Sequence, residues 1–194
     1  MPLAEESFMI VTLGSWIIQH AMHQLKQWES DPLKKEWYVS INISIKQFEE
    51  EHFLERVKTH LLSSQCNPKK VQFELTESLL VSDSKKALRN IHALKRLGIK
   101  LSIDDFGTGY SSLSYLKRLH VDELKIDKSF VKKVLIDPMD RTIIEMIVTI
   151  GKRFNLKVVA EGVETKEQYM FLKTMGCRFF QGFFFSKPSP VDEL

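Results

Sequence analysis

Apolar residues follow two spacings along the chain, and these spacings predict helices that alternate with strands. Over 11–28 the apolar side chains recur every three to four residues, as on one helix face, and Asp31-Pro32 ends the pattern. Strands are predicted over 37–43, 71–75, 99–103, 123–126, 156–160 and 178–180. Helices are predicted over 11–28, 48–62, 83–97 and 166–175. A short helix is also predicted from about 111, and a longer helical stretch after the strand over 123–126 is predicted to end near 154. This alternation is typical of parallel β/α units.

The number of strands bears on the kind of β/α fold. Gly98 and Gly176 stand where a helix would end in the left-handed conformation, which supports the predicted boundaries. A complete (β/α)8 barrel needs roughly 250 residues, whereas this chain has 194. We therefore expect one domain over 1–194, folded as a TIM-like (β/α) barrel that is incomplete and lacks about the first two strands.

Composition and charge exclude several other classes of protein. The net charge is +3, and the cations are spread along helix patterns, which argues against a DNA or RNA duplex as partner. The apolar run over 8–18 is shorter than the roughly 20 residues of a membrane span, so no membrane insertion is expected. The start shows no secretory signal, and Cys66 and Cys177 belong to no metal or disulfide motif. A cytoplasmic protein is expected.

Each predicted strand ends, on its carboxyl side, in a residue suited to metal or phosphate chemistry. These residues are Asn42, Glu74, Asp104 with Asp105, Lys125, Glu161 and Gln181. Taken singly, they have local explanations: Asp104 and Asp105 could cap a turn, and Lys125 could pair with Asp122 or Asp127. In a parallel β/α barrel, however, all these strand ends converge on one face, where active sites lie. The shared position therefore favours a common site.

The carboxylates among these residues predict a bound metal ion. Clustered like charges are costly to ionise unless a cation compensates them, and oxygen ligands favour Mg²⁺ or Mn²⁺ over zinc. Two such ions can supply a nucleophile and stabilise the charge of a phosphodiester under in-line attack. Phosphodiester hydrolysis is the inferred reaction. From these residues alone an enolase-like or aldolase-like metal barrel, with Lys125 as base, stays open.

Short motifs then follow one another along nearly the whole chain, from 2 to 190. They are Asn42-Ile43-Ser44 with Gln47, and the segments over 74–78, 104–112, 124–127, 160–165 and 181–188. In this order they resemble the signatures of the EAL domain family of cyclic di-GMP phosphodiesterases. The resemblance implies a barrel that binds cyclic di-GMP at its C-terminal face and opens it to the linear dinucleotide with two Mg²⁺ or Mn²⁺ ions.

The resemblance also implies a role for each matching residue. The implied metal ligands are Asn42, Glu74, Asp104 and Asp105. Glu161 would lie by the second metal or act on the nucleophilic water, and Lys125 would orient that water or a phosphate oxygen; with Asp105 they form the implied catalytic set. The implied substrate and loop residues are Gln181, Glu77 and Asp127. Glu77 and the loop over 106–112 resemble the pair that positions the second metal and, in many relatives, links the site to dimerisation.

One departure from the family pattern limits this expectation. The Glu-Ala-Leu tripeptide lies upstream of a segment resembling 2–6 in the family and does not occur in this sequence. One carboxylate ligand is therefore expected to be missing, so that hydrolysis would be weak or lost. The alternatives are an inactive module that binds cyclic di-GMP or a protein in bacterial second-messenger signalling, or a fragment with no role of its own.

The ends of the incomplete barrel predict a further property. Strand edges at 37–43 and 178–180 would be open, and five phenylalanines lie at or after the last strand: Phe179, Phe180, Phe183, Phe184 and Phe185. We expect these phenylalanines mainly in the barrel interior and its closing contacts. Open edges, and any of these side chains left uncovered, favour contact with another chain. We expect self-association, as a homodimer or by domain swapping.

Overall fold

The computed structural model describes residues 9–78, 85–109 and 113–193, with the side chains of 113–115 left out. Its helices are α1 (Met9–Trp28), α2 (Ile45–Phe48), α3 (Phe53–Ser64), α4 (Lys85–Arg96), α5 (Leu113–Leu119), α6 (Lys128–Lys133), α7 (Pro138–Phe154) and α8 (Lys166–Thr174). Its strands are β1 (Val39–Ile43), β2 (Val71–Thr76), β3 (Lys100–Phe106), β4 (Glu123–Ile126), β5 (Lys157–Ala160) and β6 (Phe179–Phe180). The segments over 2–6 and 110–112 that the sequence singled out lie outside the described residues.

The six strands form one sheet in the order β1-β2-β3-β4-β5-β6. The pairs β1–β2, β4–β5 and β5–β6 are parallel, since at least one helix separates each strand from the next. Among the described strands the order has two ends, β1 and β6, so the sheet is not closed. This confirms the prediction of an incomplete TIM-like α/β fold.

Two helices predicted as continuous are each divided in the structure. The pattern over 48–62 belongs to α2 and α3, because α2 ends at Phe48 and a turn over 49–52, in which His52 N donates to Glu50 Oε2 at 3.1 Å, precedes α3. The stretch up to 154 is α6 followed by α7, because Asp137 accepts hydrogen bonds from Met139 N and Asp140 N and Pro138 occupies the first turn. Amphipathic spacing continues across both breaks, which is why periodicity alone missed them.

The described residues fall into two compact units. The first unit contains 9–78, 85–102 and 113–121. Its core lies where α1 and α3 pack beside β1 and β2, and Phe53 packs against Phe48 and Phe73 with ring centroids 5.5 and 6.2 Å apart. Gly98 ends α4 with a φ of +90°, as its position predicted.

The second unit contains 103–109 and 122–193. Here α7 covers β4 and β5 with the buried side chains of Ile144, Ile147 and Val148. Gly176 follows α8 with a φ of +94°, again as predicted. Within the described residues, none of the helices combines the length and apolarity that crossing a bilayer requires. The single domain over 1–194 stays a prediction.

Candidate metal centre

Three carboxylates of the second unit come together at the end of β3 and just after β5. Asp104, Asp105 and Glu161, here called the acidic cluster, each offer one oxygen, and these oxygens lie within 4.8 Å of one another. Divalent cations with oxygen ligands, such as Mg²⁺ and Mn²⁺, suit a cluster made only of carboxylates. The residues present therefore fit the metal that the sequence predicted.

The ammonium group of Lys125, on β4, lies between two of these carboxylates. Its Nζ is 2.6 Å from Glu161 Oε1 and 3.4 Å from Asp104 Oδ1. The Lys125 side chain is 4% exposed, whereas those of Asp104 and Glu161 are 17% and 16% exposed. In such surroundings a positive charge offsets the repulsion between carboxylates more strongly than it would in water. The carboxylates of Asp104 and Glu161 thus already lie around one positive charge.

The backbone around Glu161 fixes where its carboxylate can lie. Its N–H donates to Ile126 O at 3.2 Å, which continues the β4–β5 ladder. The next residue, Gly162, has a φ of +68°, and a Cβ there would lie 2.6 Å from Lys128 Cβ. Only glycine allows so close an approach in this conformation.

Asp105 occupies a backbone conformation that is unusual for a residue with a side chain. Its φ is +54°, and its N–H donates to Asp104 Oδ1 at 3.1 Å. The turn continues through Gly107, whose φ is +104° and whose added Cβ would lie 3.0 Å from the Phe130 ring. Strained conformations of this kind concentrate at functional positions.

Asp105 and Asp127 share a hydrogen bond that separates their protonation behaviour. Burial raises the pKa of Asp105 to about 6, and the negative charge of Asp104 and the bond with Asp127 act in the same direction. Burial also acts to raise the pKa of Asp127, but hydrogen bonds from the hydroxyl and the backbone N–H of Ser129 bring it below its usual range. Asp127 therefore stays charged while Asp105 retains a proton to about pH 6.

The predicted ligands of the first unit lie side by side in their own strands. Asn42 on β1 is paired in register with Glu74 on β2. Asn42 is exposed, Glu74 is 6% exposed, and Glu77, just after β2, is 3% exposed. Their roles in metal binding stay predictions.

Gln181 follows β6 and is exposed. Its backbone N–H donates to Ala160 O at 2.9 Å, and its carbonyl accepts from Val163 N at 3.0 Å. These bonds extend the β5–β6 pairing to the residues next to Glu161. The role of its side chain toward a substrate stays a prediction.

Two residues that form hydrogen bonds next to this centre were not predicted from the sequence. Ser129 donates twice to Asp127, and Gln168 forms a capping box with Thr165 in the first turn of α8. Their spacings, Asp-x-Ser and Thr-x-x-Gln, are ordinary capping patterns. The signal was therefore present, but it indicates only a helix start and not which neighbouring group the cap supports.

Comparison with known proteins identifies the family. The sequence model of the EAL domain family matches residues 1–188 of this chain. MucR of Pseudomonas aeruginosa, described as a bifunctional diguanylate cyclase/cyclic di-GMP phosphodiesterase, is 41% identical over 194 residues, which are 100% of this chain and 28% of MucR. The cyclic di-GMP phosphodiesterase PdeR of Escherichia coli is 37% identical over 188 residues, which are 97% of this chain and 28% of PdeR. The chain thus spans under a third of either relative.

Solved structures give the same result. The PaMucR phosphodiesterase in complex with c-di-GMP matches with a TM-score of 0.94 and 40% identity, over 99% of this chain and 77% of that one. A manganese and cyclic di-GMP complex of Klebsiella pneumoniae BlrP1 matches with a TM-score of 0.81 and 32% identity, over 92% of this chain and 44% of that one. The resemblance seen in the motifs is confirmed, and the chain belongs to the EAL domain family.

Proposed function

We propose that this chain binds cyclic di-GMP and hydrolyses one of its phosphodiester bonds, yielding the linear dinucleotide, with Mg²⁺ or Mn²⁺ as cofactor. The observation that carries the proposal is the acidic cluster with Lys125 held among its carboxylates. Membership of the EAL domain family supports the substrate, since MucR and PdeR are described as cyclic di-GMP phosphodiesterases.

The described side chains suggest how the work is divided. Asp104, Asp105 and Glu161 would hold the cation, which when bound supplies a nucleophile at neutral pH and stabilises negative charge on the phosphodiester. The Lys125 ammonium, 2.6 Å from Glu161, would donate a hydrogen bond to the attacking water or to a phosphate oxygen. Asp127 would accept a hydrogen bond from the protonated carboxyl group of Asp105 and so orient that group.

Other predicted residues complete the proposal on the strength of the family resemblance. Asn42 and Glu74 are proposed as further metal ligands, and Glu77 and Gln181 as residues that hold the metal and substrate site. The reduced activity expected from the absent tripeptide stays a prediction, and the rate measured below tests it.

The test is to incubate the purified chain with cyclic di-GMP and Mn²⁺ and to separate the nucleotides by chromatography. We expect linear dinucleotide from the unmutated chain and a loss of at least about 100-fold in Asp105→Asn and Glu161→Gln. Asp192→Asn is the matched control, because Asp192 is exposed in the short helix near the end of the chain, and it should retain full activity.

Equilibrium dialysis with the same nucleotide separates the two functions. Binding without turnover would replace the phosphodiesterase by a cyclic di-GMP-binding module. The absence of both binding and turnover would contradict the proposed function.

A further inference from the structure

Gln168 is a buried side chain that joins two parts of the second unit. It is 7% exposed and lies in the first turn of α8. Its Oε1 accepts from Glu164 N at 2.8 Å and from Thr165 N at 3.1 Å, and its Nε2 donates to Val131 O at 3.4 Å. One amide group therefore connects the segment over 161–165, here called the β5 loop, to α6.

Both parts carry groups of the candidate metal centre. The β5 loop begins with Glu161, a member of the acidic cluster. Helix α6 is capped by Asp127, which shares a hydrogen bond with Asp105. The loop and the helix also touch at Gly162, where an added Cβ would lie 2.6 Å from Lys128 Cβ. A change in their separation would therefore move Glu161.

Further backbone bonds hold the first half of the β5 loop. Glu161 N donates to Ile126 O at 3.2 Å, and Val163 N donates to Gln181 O at 3.0 Å. Gln168 Oε1 accepts from the last two residues of the loop. Removing this acceptor would leave two backbone N–H groups in a part-buried place without it, which is costly enough for the loop to move.

We propose that Gln168 is a positioning residue for Glu161 in the metal centre. Groups that orient metal ligands from behind are needed for full metal affinity, because a ligand displaced by a fraction of an ångström binds poorly. The link to metal binding rests on the proposed function, whereas the effect on the β5 loop rests only on the hydrogen bonds described above.

Three variants separate positioning from general stability. Gln168→Met keeps the length of the side chain and removes the acceptor for Glu164 N and Thr165 N. Gln168→Glu keeps that acceptor and loses only the donor to Val131 O on α6. Thr165→Ala is the matched control, because it removes the reciprocal bond of the same capping box, from Gln168 N to Thr165 Oγ1 at 3.2 Å, and leaves the amide of Gln168 in place.

The first measurement is the affinity for Mn²⁺ by calorimetry on the full chain, without nucleotide. We expect Gln168→Met to bind Mn²⁺ about 10- to 100-fold more weakly, Gln168→Glu to be weakened less than Gln168→Met, and Thr165→Ala to stay within about threefold of the unmutated chain. Equal affinities in the folded Gln168→Met variant and the unmutated chain would overturn the positioning role, while the proposed function would stand.

The second measurement is amide hydrogen exchange of the β5 loop without metal. Exchange at Glu164 and Thr165 should become at least about tenfold faster in Gln168→Met and stay unchanged in Gln168→Glu. If the unmutated chain binds neither Mn²⁺ nor cyclic di-GMP, the proposed function and the positioning role fail together. Faster exchange would then leave Gln168 as a support of the loop alone.

Discussion

Asp105 combines a left-handed backbone, a raised pKa and a place in the acidic cluster. Burial and neighbouring negative charge disfavour its ionised form, and a bound cation would favour that form. Lys125 now supplies the positive charge, held 2.6 Å from Glu161. At the level of single residues, the centre is a set of carboxylates whose charge is only partly compensated by the chain itself.

The pKa of Asp105 predicts how metal affinity and stability depend on pH. Because a cation must displace its proton, Mn²⁺ affinity should fall as the pH drops below about 6. The free energy of unfolding without metal should instead fall as the pH rises, because folding raises the pKa of Asp105 from the ordinary 3.8 to about 6. The contribution of Asp105 is fully present below the unfolded pKa and is lost as the pH rises through the folded pKa.

The check is the free energy of unfolding without metal, for the unmutated chain and Asp105→Asn, at about pH 5 and about pH 7.5. The unmutated chain should lose stability relative to the variant at the higher pH. A difference that does not change with pH would show that Asp105 titrates normally.

Removing the ammonium from the acidic cluster should make the chain depend on metal for stability. Lys125→Met should cost about 2 to 4 kcal/mol without metal, because Asp104 and Glu161 would lose the nearby ammonium charge. Thermal melts should show that Mn²⁺ recovers most of that loss, since a bound cation takes over the same role.

Lys157→Met is the control for this prediction. Lys157 pairs with Glu123, which is 3% exposed, at 2.8 Å, and this pair is separate from the acidic cluster. The control should lose stability that Mn²⁺ does not recover. Equal recovery in both variants, or none in either, would contradict the assignment of the cluster as the metal site.

At the level of elements, the second unit places its site groups through loops that pack tightly. The β5 loop turns at Gly162 directly above the start of α6, and the turn after Asp105 packs Gly107 against Phe130. Such positions tolerate little change, because an added Cβ would meet Lys128 Cβ or the Phe130 ring, which cannot swing aside as the far end of a flexible side chain can. The strands bring the site residues to the same end of the sheet, and these turns fix where each residue lies.

Gly162→Ala tests this tight packing. It should cost about 2 to 3 kcal/mol and weaken Mn²⁺ binding, because the φ of +68° is unfavourable and the new Cβ would lie 2.6 Å from Lys128 Cβ. Gly98→Ala is the control: its φ of +90° is also unfavourable, but its nearest neighbour is 3.6 Å away and it lies in the first unit. It should cost about 1 kcal/mol in chemical denaturation and leave Mn²⁺ affinity unchanged. An unchanged affinity in Gly162→Ala would argue against a fixed β5 loop.

The elements also show what the sequence could and could not predict. The strands and the residues at their ends were predictable, because apolar runs followed by polar residues mark parallel strands and one catalytic face. The break between α2 and α3 and the break before α7 were not predictable, since local hydrogen bonds to the side chains of Glu50 and Asp137 interrupt a continuous apolar stripe. The contacts of Lys125 with Asp104 and Glu161 were not predictable either, because they join residues far apart in sequence.

At the level of the whole molecule, the sheet order ends at β1 and β6, and the side chains near β6 are exposed. Phe179 is 46%, Phe183 59% and Phe185 51% exposed, although these phenylalanines were expected mainly as barrel interior. Part of this segment packs on α8, where Tyr169 contacts Phe180 and Phe184 with ring centroids 4.8 and 5.9 Å apart. The remainder forms an apolar surface of the kind that binds other chains.

Self-association is therefore still predicted, and Phe183 is the residue with which to test it. Sedimentation velocity over a range of concentrations should show dimers of the unmutated chain and a shift toward monomer in Phe183→Glu. Trp16→Glu is matched for exposure, because Trp16 is 58% exposed on α1, and it should not shift the equilibrium. A chain that stays monomeric at all concentrations would remove the prediction.

The central claim is that the acidic cluster holds the cation of a phosphodiesterase site. The most direct test is anomalous diffraction at the manganese edge from crystals of this chain grown with Mn²⁺ and cyclic di-GMP. The account predicts an anomalous peak within coordination distance of the carboxylates of Asp104, Asp105 and Glu161. Occupied manganese sites elsewhere, with no peak at these three carboxylates, would contradict it.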